Sequence, residues 1–249
     1  MKVWIDVLTP KQVLFFKPLR EELISRKHVV EVTSRHYREI QPIANGVGLE
    51  LQYIGMHGGS SPKRKLHAHA ERILKLEQFA EKFNPELAVS FNSPECARVA
   101  FGLGLKHVTV NDSPHSERVA RLTVPLSDRL LTPWIIPLKE WSKFGIKPNR
   151  IVRYKALDPA AWLKRTVMWQ RDELLKLDKS RKTITVRIEE SQAEYLHNTP
   201  LSSTNNILDM LAMRFKKHNV VLLCRYQEQL EGLSQKYGSV FSIPKSSVN

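Results

Sequence analysis

The sequence has little cysteine and no long apolar run. Its 249 residues include two cysteines, Cys96 and Cys224, too few for a disulfide framework or a thiolate zinc site. No stretch approaches the roughly 18 consecutive apolar residues of a membrane-spanning helix. The amino terminus lacks the charged and then apolar order of a signal peptide. We therefore expect a cytoplasmic protein.

Several motifs that carry chemistry in other proteins are also missing. There is no G-x-G-x-x-G fingerprint, P-loop or nucleophile elbow, which weakens the case for a dinucleotide oxidoreductase or an NTPase. His67 and His69 are two residues apart on a predicted helix and point to different faces, so they are poor partners for a metal. We expect neither a metal nor a cofactor.

Charge is the unusual feature of the composition. The chain has 39 Lys and Arg against 25 Asp and Glu, a formal net charge of +14. Residues 139–187 hold 14 basic and 5 acidic residues of these. Such an excess favours anionic partners, namely nucleic acid, phospholipid head groups or phosphorylated metabolites, but it does not choose among them. A solvated basic surface is the alternative, and no nucleic-acid-binding motif is visible.

Strand and helix patterns alternate along the first part of the chain. We predict strands at residues 2–8, 28–33, 49–54, 86–91 and 107–111, and helices at 13–26, 62–83 and 94–103. Such alternation favours a parallel sheet with helices on both faces, in an α/β, Rossmann-like domain over residues 1–160.

A second alternation begins near residue 182. It predicts strands at 183–188, 220–225 and 239–243 and helices at 207–218 and 226–236, after a basic connector at 161–181. Residues 182–249 are about half of a typical doubly wound domain. We therefore expect a second, incomplete Rossmann-like domain.

Four predicted strands are followed by a hydroxyl residue and a proline. The pairs are Thr9-Pro10, Ser61-Pro62, Ser93-Pro94 and Ser113-Pro114. A hydroxyl at the N-cap and a proline in the first turn are typical of helix starts. In a parallel sheet these starts meet at the carboxyl edge, where ligands bind. Simple helix capping is the alternative reading for each pair.

The residues that would line this shared edge are our candidate binding groups. Asp112 and His115 lie within one turn of each other, as a base and its orienting partner would, although a capping aspartate and a surface histidine would look the same. Glycine at two consecutive positions allows backbone to approach a ligand, or simply makes a flexible turn. The binding candidates are Thr9, Lys11, Gln12, Gly58, Gly59, Asn92, Ser93 and Asn111.

In the second part, Arg187 and Glu190 belong to the segment that ends a predicted strand. Arginine can hold a diphosphate with two hydrogen bonds, and glutamate can accept from sugar hydroxyls. An exposed salt-bridging loop is the alternative.

Three stretches resemble a family of glycosyltransferase-like proteins, domain of unknown function 354. They are the start of the chain at residues 2–19, the Phe-Asn-Ser-Pro-Glu segment at 91–104, and the Asn-Asp-Ser-Pro-His segment at 111–128. The family is similar to GT-B enzymes and to UDP-N-acetylglucosamine 2-epimerases. The resemblance implies two Rossmann-like domains with a nucleotide sugar held mainly by the second.

The resemblance also implies roles for single residues. Thr9, Lys11 and Gln12 would line the acceptor side. Asn111, Asp112 and His115 would sit near the reacting sugar, and Arg187 and Glu190 would begin the donor side. In the family, a Gly-Gly-Thr loop that cradles the diphosphate follows the region where this chain ends. The resemblance therefore leaves three alternatives: a natural truncation, a second chain that supplies the missing half, or a binding or vestigial protein.

These inferences predict a glycosyltransferase that uses a nucleotide-diphosphate sugar, with activity reduced or lost if the second domain is incomplete. A basic first domain would suit a lipid-phosphate acceptor at a membrane surface. The alternatives are a sugar-nucleotide 2-epimerase and a non-enzymatic basic protein that binds nucleic acid.

Overall fold

The computed structural model describes residues 1–37, 40–59, 61–163, 175, 177–188, 202–224 and 226–244. The chain divides into two compact units, Met1–Val167 and Met168–Asn249. Among the described residues, the first unit contains a seven-stranded sheet and the second a pair of strands. No helix in these ranges combines the length and the apolarity needed to cross a bilayer.

The strands of the first unit form one parallel sheet. They are β1 (Lys2–Val7), β2 (Val29–His36), β3 (Gln52–Met56), β4 (Leu87–Phe91), β5 (Lys106–Val110), β6 (Arg129–Pro133) and β7 (Ile151–Tyr154). Their order is β3-β2-β1-β4-β5-β6-β7, and every neighbouring pair is parallel.

Helices connect these strands and cover both faces of the sheet. They are α1 (Pro10–Ser25), α2 (Ile40–Val47), α3 (Pro62–Phe83), α4 (Pro94–Gly102), α5 (Glu117–Thr123), α6 (Lys139–Ser142) and α7 (Ala160–Leu163). From β1 the chain builds outward to β3, and from β4 it builds outward to β7 on the other side. The strand order therefore reverses between β1 and β4, which confirms the predicted α/β, Rossmann-like fold.

The central strand β1 shows why both faces are covered. Alternate side chains of a strand point to opposite faces, and the side chains of residues 3–7 are buried on both faces of β1. Val3 and Ile5 pack in one cluster with Phe16 of α1. Trp4 packs in another cluster with Leu76 of α3. A strand buried on both faces cannot show the polar–apolar alternation of a half-exposed strand.

The hydroxyl–proline pairs mark helix starts in three of four cases. Thr9, Ser61 and Ser93 are the N-cap residues of α1, α3 and α4, and the last two accept a backbone N–H from the first turn. The fourth prediction is wrong, because Ser113 and Pro114 lie in a turn and α5 begins at Glu117.

Six elements of the first unit have no counterpart among the predicted ones, namely α2, α5, α6, α7, β6 and β7. Helix α2 contains a proline and a glycine, and both residues weaken a helical pattern. Strand β6 ends in a proline, and β7 is a short edge strand whose residues are half-buried or exposed.

The second unit contains β8 (Thr183–Arg187), α8 (Ser202–Arg214), β9 (Asn219–Leu223) and α9 (Gln227–Tyr237). Strands β8 and β9 are parallel and pack with both helices in a cluster that includes Leu208, Leu222 and Tyr237. The predicted strand at 239–243 is wrong as a strand. Residues 238–240 form the turn that ends α9, which leaves only an isolated bridge between Val221 and Ser242.

Candidate active site

A lysine ammonium lies between two carboxyl groups at the carboxyl edge of the first sheet. Lys11, in the first turn of α1, places its Nζ 2.5 Å from Asp112 Oδ2 and 2.6 Å from Asp158 Oδ2. The same Nζ lies 4.4 Å from the centroid of the Phe91 ring, at the end of β4. The site is therefore assembled from α1, the end of β4 and the segments that follow β5 and β7.

The two carboxyl groups have different surroundings. The Asp112 side chain is 29% exposed, whereas that of Asp158 is 3% exposed. Burial opposes ionisation of Asp112, but the hydrogen bond and charge of Lys11 outweigh it and lower the pKa of Asp112. Burial raises the pKa of Asp158, although the nearby Lys11 ammonium and the hydrogen bond from the Tyr154 hydroxyl oppose this rise.

Two amides hold the turn that carries Asp112. Asn92 has a left-handed backbone, with φ of 58°, and its Oδ1 accepts from Asn111 Nδ2 at 2.8 Å. Asn111 Oδ1 accepts the backbone N–H of Ser113, and the Ser113 hydroxyl donates to Asp112 Oδ1, both at 2.8 Å. Both asparagines thus position Asp112 through the protein's own hydrogen bonds.

Two further candidates are buried and have protein partners. Gln12 Oε1 accepts the Leu8 N–H at 2.6 Å, and its Nε2 donates to the Phe91 carbonyl at 2.9 Å, so this side chain ties the end of β1 to the end of β4. The Ser93 hydroxyl donates to Asp6 Oδ2 at 2.6 Å. Thr9 is half-buried at the start of α1, and His115 is exposed in the turn after β5.

The glycine pair lies far along the same edge. Gly58 and Gly59 follow β3, which is four strand positions from β5, or about 19 Å. A Cβ on Gly58 would lie 2.8 Å from the Arg64 carbonyl, so the glycine allows its loop to pack on the first turn of α3. Beside it, burial and the charges of Arg35 and Lys65 lower the pKa of His57 to about 4.

A buried charge network, which sequence analysis missed, lies beneath this edge. Arg72 Nη2 and Nη1 donate to the two oxygens of Asp6 at 2.6 and 3.1 Å, and both side chains are fully buried. Thr33 and Ser93 also donate to Asp6, each at 2.6 Å. Glu95 lies 3.8 Å from Arg72; although burial opposes it, a hydrogen bond from a neighbouring histidine and nearby arginine charges lower the Glu95 pKa to about 2.

The sequence contains signals for two features that sequence analysis missed, the buried Arg72 and the Asp158 carboxyl group. Arg72 occupies the buried stripe of α3 together with Ala68, Leu76 and Ala80, at four-residue spacing, where a charged residue needs a buried partner. Asp158-Pro159 follows β7 and precedes α7, so it repeats the pattern of a capping residue and a proline after a strand.

The donor-side candidates belong to the second unit. Arg187 is exposed and ends β8. Glu190 lies outside the described residues. Within the described part of the chain, no three histidine, cysteine or acidic side chains are grouped so as to hold a metal ion.

Comparison with known proteins gives a family and a relative in sequence. The family model described as "Protein of unknown function (DUF354)" matches residues 1–249. The uncharacterized protein MJ0665 of Methanocaldococcus jannaschii is 31% identical over 145 residues, which are 58% of this chain and 42% of the relative. The matched region therefore spans less than half of that relative's length.

Structural similarity extends over nearly the whole chain. The UDP-GlcNAc 2-epimerase of Neisseria meningitidis bound to UDP-GlcNAc matches with a TM-score of 0.76 and 16% identity, over 98% of this chain and 71% of the epimerase. The M. jannaschii UDP-GlcNAc 2-epimerase in complex with UDP-GlcNAc and UDP matches with a TM-score of 0.68 and 14% identity, over 98% of this chain and 73% of the epimerase. The spinosyn forosaminyltransferase SpnP matches with a TM-score of 0.56 and 15% identity, over 90% of this chain and 66% of the transferase. The chain thus has the GT-B-like fold of enzymes that use nucleotide sugars.

Proposed function

The chain belongs to the DUF354 family of proteins of unknown function, and we propose that it transfers a glycosyl group from a nucleotide-diphosphate sugar. The observation that carries the proposal is the Lys11 ammonium held between Asp112 and Asp158. This cluster lies at the carboxyl edge of the sheet, where it joins α1, which follows β1, to the segments after β5 and β7 on the other side of the reversal between β1 and β4. Ligands of doubly wound folds bind at this edge.

Asp112 is the proposed general base. Lys11 lowers the pKa of Asp112, so this carboxylate is ionised near neutral pH. Its side chain is half-buried rather than fully exposed. It would take the proton of the acceptor hydroxyl as that oxygen bonds to the anomeric carbon. The bond from this carbon to the phosphate oxygen breaks at the same time, and the nucleoside diphosphate leaves with the electron pair. In this proposal Arg187, predicted to lie on the donor side, binds the diphosphate through hydrogen bonds from its guanidinium group.

Glycosyl transfer is favoured over epimerisation by where the acids lie. An acid and a base working on opposite sides of one sugar carbon would have to face each other. Within the described residues, Asp112 and Asp158 meet at the same ammonium, so they form one group. One base on one side is what the activation of an acceptor hydroxyl needs.

A sugar-nucleotide 2-epimerase is the second candidate. The structural matches favour it, because the epimerases reach a TM-score of 0.76 and the glycosyltransferase SpnP 0.56. The two reactions differ in what happens at C2 of the sugar. An epimerase would exchange the C2 hydrogen with solvent, whereas a transferase would release the nucleoside diphosphate only when an acceptor is present.

Binding is tested by thermal unfolding of the full chain with UDP and with UDP-GlcNAc. A ligand at 100 times its Kd stabilises the folded protein by about 2.7 kcal/mol and raises the Tm. Asp112→Asn should keep this rise and lose turnover, because the amide fills the same space but cannot accept the proton. Arg187→Ala should lose the rise.

The control is Glu81→Gln, which removes one negative charge from the exposed last turn of α3, at the opposite edge of the sheet. It should keep both binding and turnover. Deuterium at C2 after incubation with UDP-GlcNAc in D₂O would select the epimerase. If neither UDP nor a panel of UDP- and TDP-sugars raises the Tm, the proposed function is wrong.

A further inference from the structure

Ionising all three titratable groups at the candidate site, Lys11, Asp112 and Asp158, carries a free-energy cost. Lys11 supplies one positive charge, while Asp112 and Asp158 would supply two negative charges if both were ionised. Two carboxylates that share a site repel each other, so the pair tends to keep one proton. With one proton retained, the cluster is neutral overall, which lowers the cost of its partial burial.

The surroundings decide which carboxyl group keeps the proton. The Asp158 side chain is nearly buried and its Oδ1 accepts the Tyr154 hydroxyl, whereas Asp112 is more exposed and also accepts from Ser113. Burial disfavours the charged form most where least water remains. The titratable groups that face the pair are Lys11 from α1 and Tyr154 from β7.

We propose that Asp158 is a positioning residue, and that Asp158 and Asp112, which both contact the Lys11 ammonium, together retain one proton. Asp158 is the protonated, buried member, and Asp112 is the ionised member that faces the acceptor. The catalytic role of this pair rests on the proposed function, but the titration that detects the pair does not. Sequence analysis gave Asp158 no role, and the structure supplies it through the loop that follows β7.

The arrangement has a consequence for the transfer step. Before reaction, the charges of Lys11 and Asp112 cancel while Asp158 is neutral. When Asp112 takes the acceptor proton, the cluster gains one net positive charge. That charge appears at the moment when the diphosphate departs with its negative charge, which is when a fixed cation stabilises the reaction most.

The test is carbon-13 NMR of the full chain labelled at aspartate Cγ, titrated from pH 3 to 9. Asp158→Asn and Asp112→Asn each remove one resonance and so assign the pair. In the unmodified protein, Asp158 should titrate above an ordinary aspartate, near 3.9, and Asp112 below it. In Asp112→Asn the pKa of Asp158 should fall by about one unit or more, a tenfold change in proton affinity, because the neighbouring negative charge is gone.

Two more variants test the partners. Tyr154→Phe should raise the pKa of Asp158 further, because it removes a donor to the ionised form. Lys11→Met should raise the pKa values of both carboxyl groups, and Glu81→Gln should change neither. If Lys11→Met does not fold, the comparison of Asp112→Asn with the unmodified protein still decides the question.

An Asp158 pKa that Asp112→Asn leaves unchanged would show that burial alone sets it, and would overturn the shared proton. So would a titration in which both carboxyl groups ionise below pH 4. These measurements need no ligand. A coupled pair in a protein that no nucleotide sugar stabilises would therefore retain the inference and reject the proposed function, and the reverse outcome would do the opposite.

Discussion

Replacing Arg72 with methionine tests the buried charge network beneath the candidate site. Methionine keeps much of the apolar stem but removes the guanidinium group. Asp6 would lose two donors, at 2.6 and 3.1 Å, and the Ile54 carbonyl would lose the Arg72 Nε–H at 2.9 Å. Among the described residues, the hydroxyls of Thr33 and Ser93 would still donate to Asp6.

The expected cost follows from complete burial. Asp6 and Arg72 each have no exposed side-chain surface, so water cannot replace the lost donors. Removing one partner of such a pair leaves an uncompensated charge and costs about 3–5 kcal/mol. Combining Arg72→Met with Asp6→Asn removes both charges. We expect this double variant to regain at least about 1 kcal/mol, the coupling typical of residues in direct contact.

The assay must report on the first unit alone, because two units need not unfold in one step. Hydrogen exchange of the β1 and β4 amides provides this, since both strands lie at the centre of the sheet. Lys75→Ala is the matched control on the same helix. Lys75 is half-exposed and forms an ion pair with Glu71 on the surface of α3, so the exchange of β1 and β4 should stay unchanged.

Two results would refute this reasoning. The first is a loss below about 1 kcal/mol for Arg72→Met, which would mean that Asp6 finds other partners at little cost. The second is a double variant less stable than Arg72→Met, which would mean that stem packing and hydroxyl contacts, rather than charge pairing, dominate this part of the core.

Two further predictions concern local packing and pH. Gly58→Ala should cost about 1–3 kcal/mol in thermal unfolding, because its φ is +80° and a Cβ would lie 2.8 Å from the Arg64 carbonyl; Gly59→Ala, with φ +71° but open space around it, should cost less. His107 is buried between the Ser90 and Ser127 hydroxyls, and burial lowers its pKa to about 4 from an unfolded value near 6.5. The unfolded chain binds that proton first, so stability should be complete above pH 6.5 and fall by about 3 kcal/mol as the pH drops to 4. An urea-unfolding series in which His107→Gln shows the same slope over this window would contradict the assignment.

The order of strands and helices was predictable because it depends on apolar periodicity. Strands such as β1 and β4 are short apolar runs between capping signals, and helix α3 carries a clear stripe. The elements that were missed have weak local signals. Strand β7 lies at the sheet edge and has little buried apolar surface, so neighbouring β6, rather than its own sequence, determines its place.

The candidate site was predictable only in part. Lys11 and Asp112 were placed at one edge by the rule that parallel strands end together, and the structure brings them into contact. Which side chains stay open to a ligand depends on contacts that span 79 or more residues in sequence. Gln12 reaches the Phe91 carbonyl, and Ser93 reaches Asp6, so both hold the scaffold.

Strand β1 has partners that are made at very different times. Residue Lys2 pairs with Val29 of β2, but on the other side Val3 pairs with Leu87 of β4, 84 residues later in the chain. At the usual rate of synthesis, those residues take on the order of 10 s to appear. During that interval the nascent chain exposes an apolar strand with one open edge. Molecular chaperones that bind unpaired strand edges should therefore protect the nascent chain most while α3 is being translated.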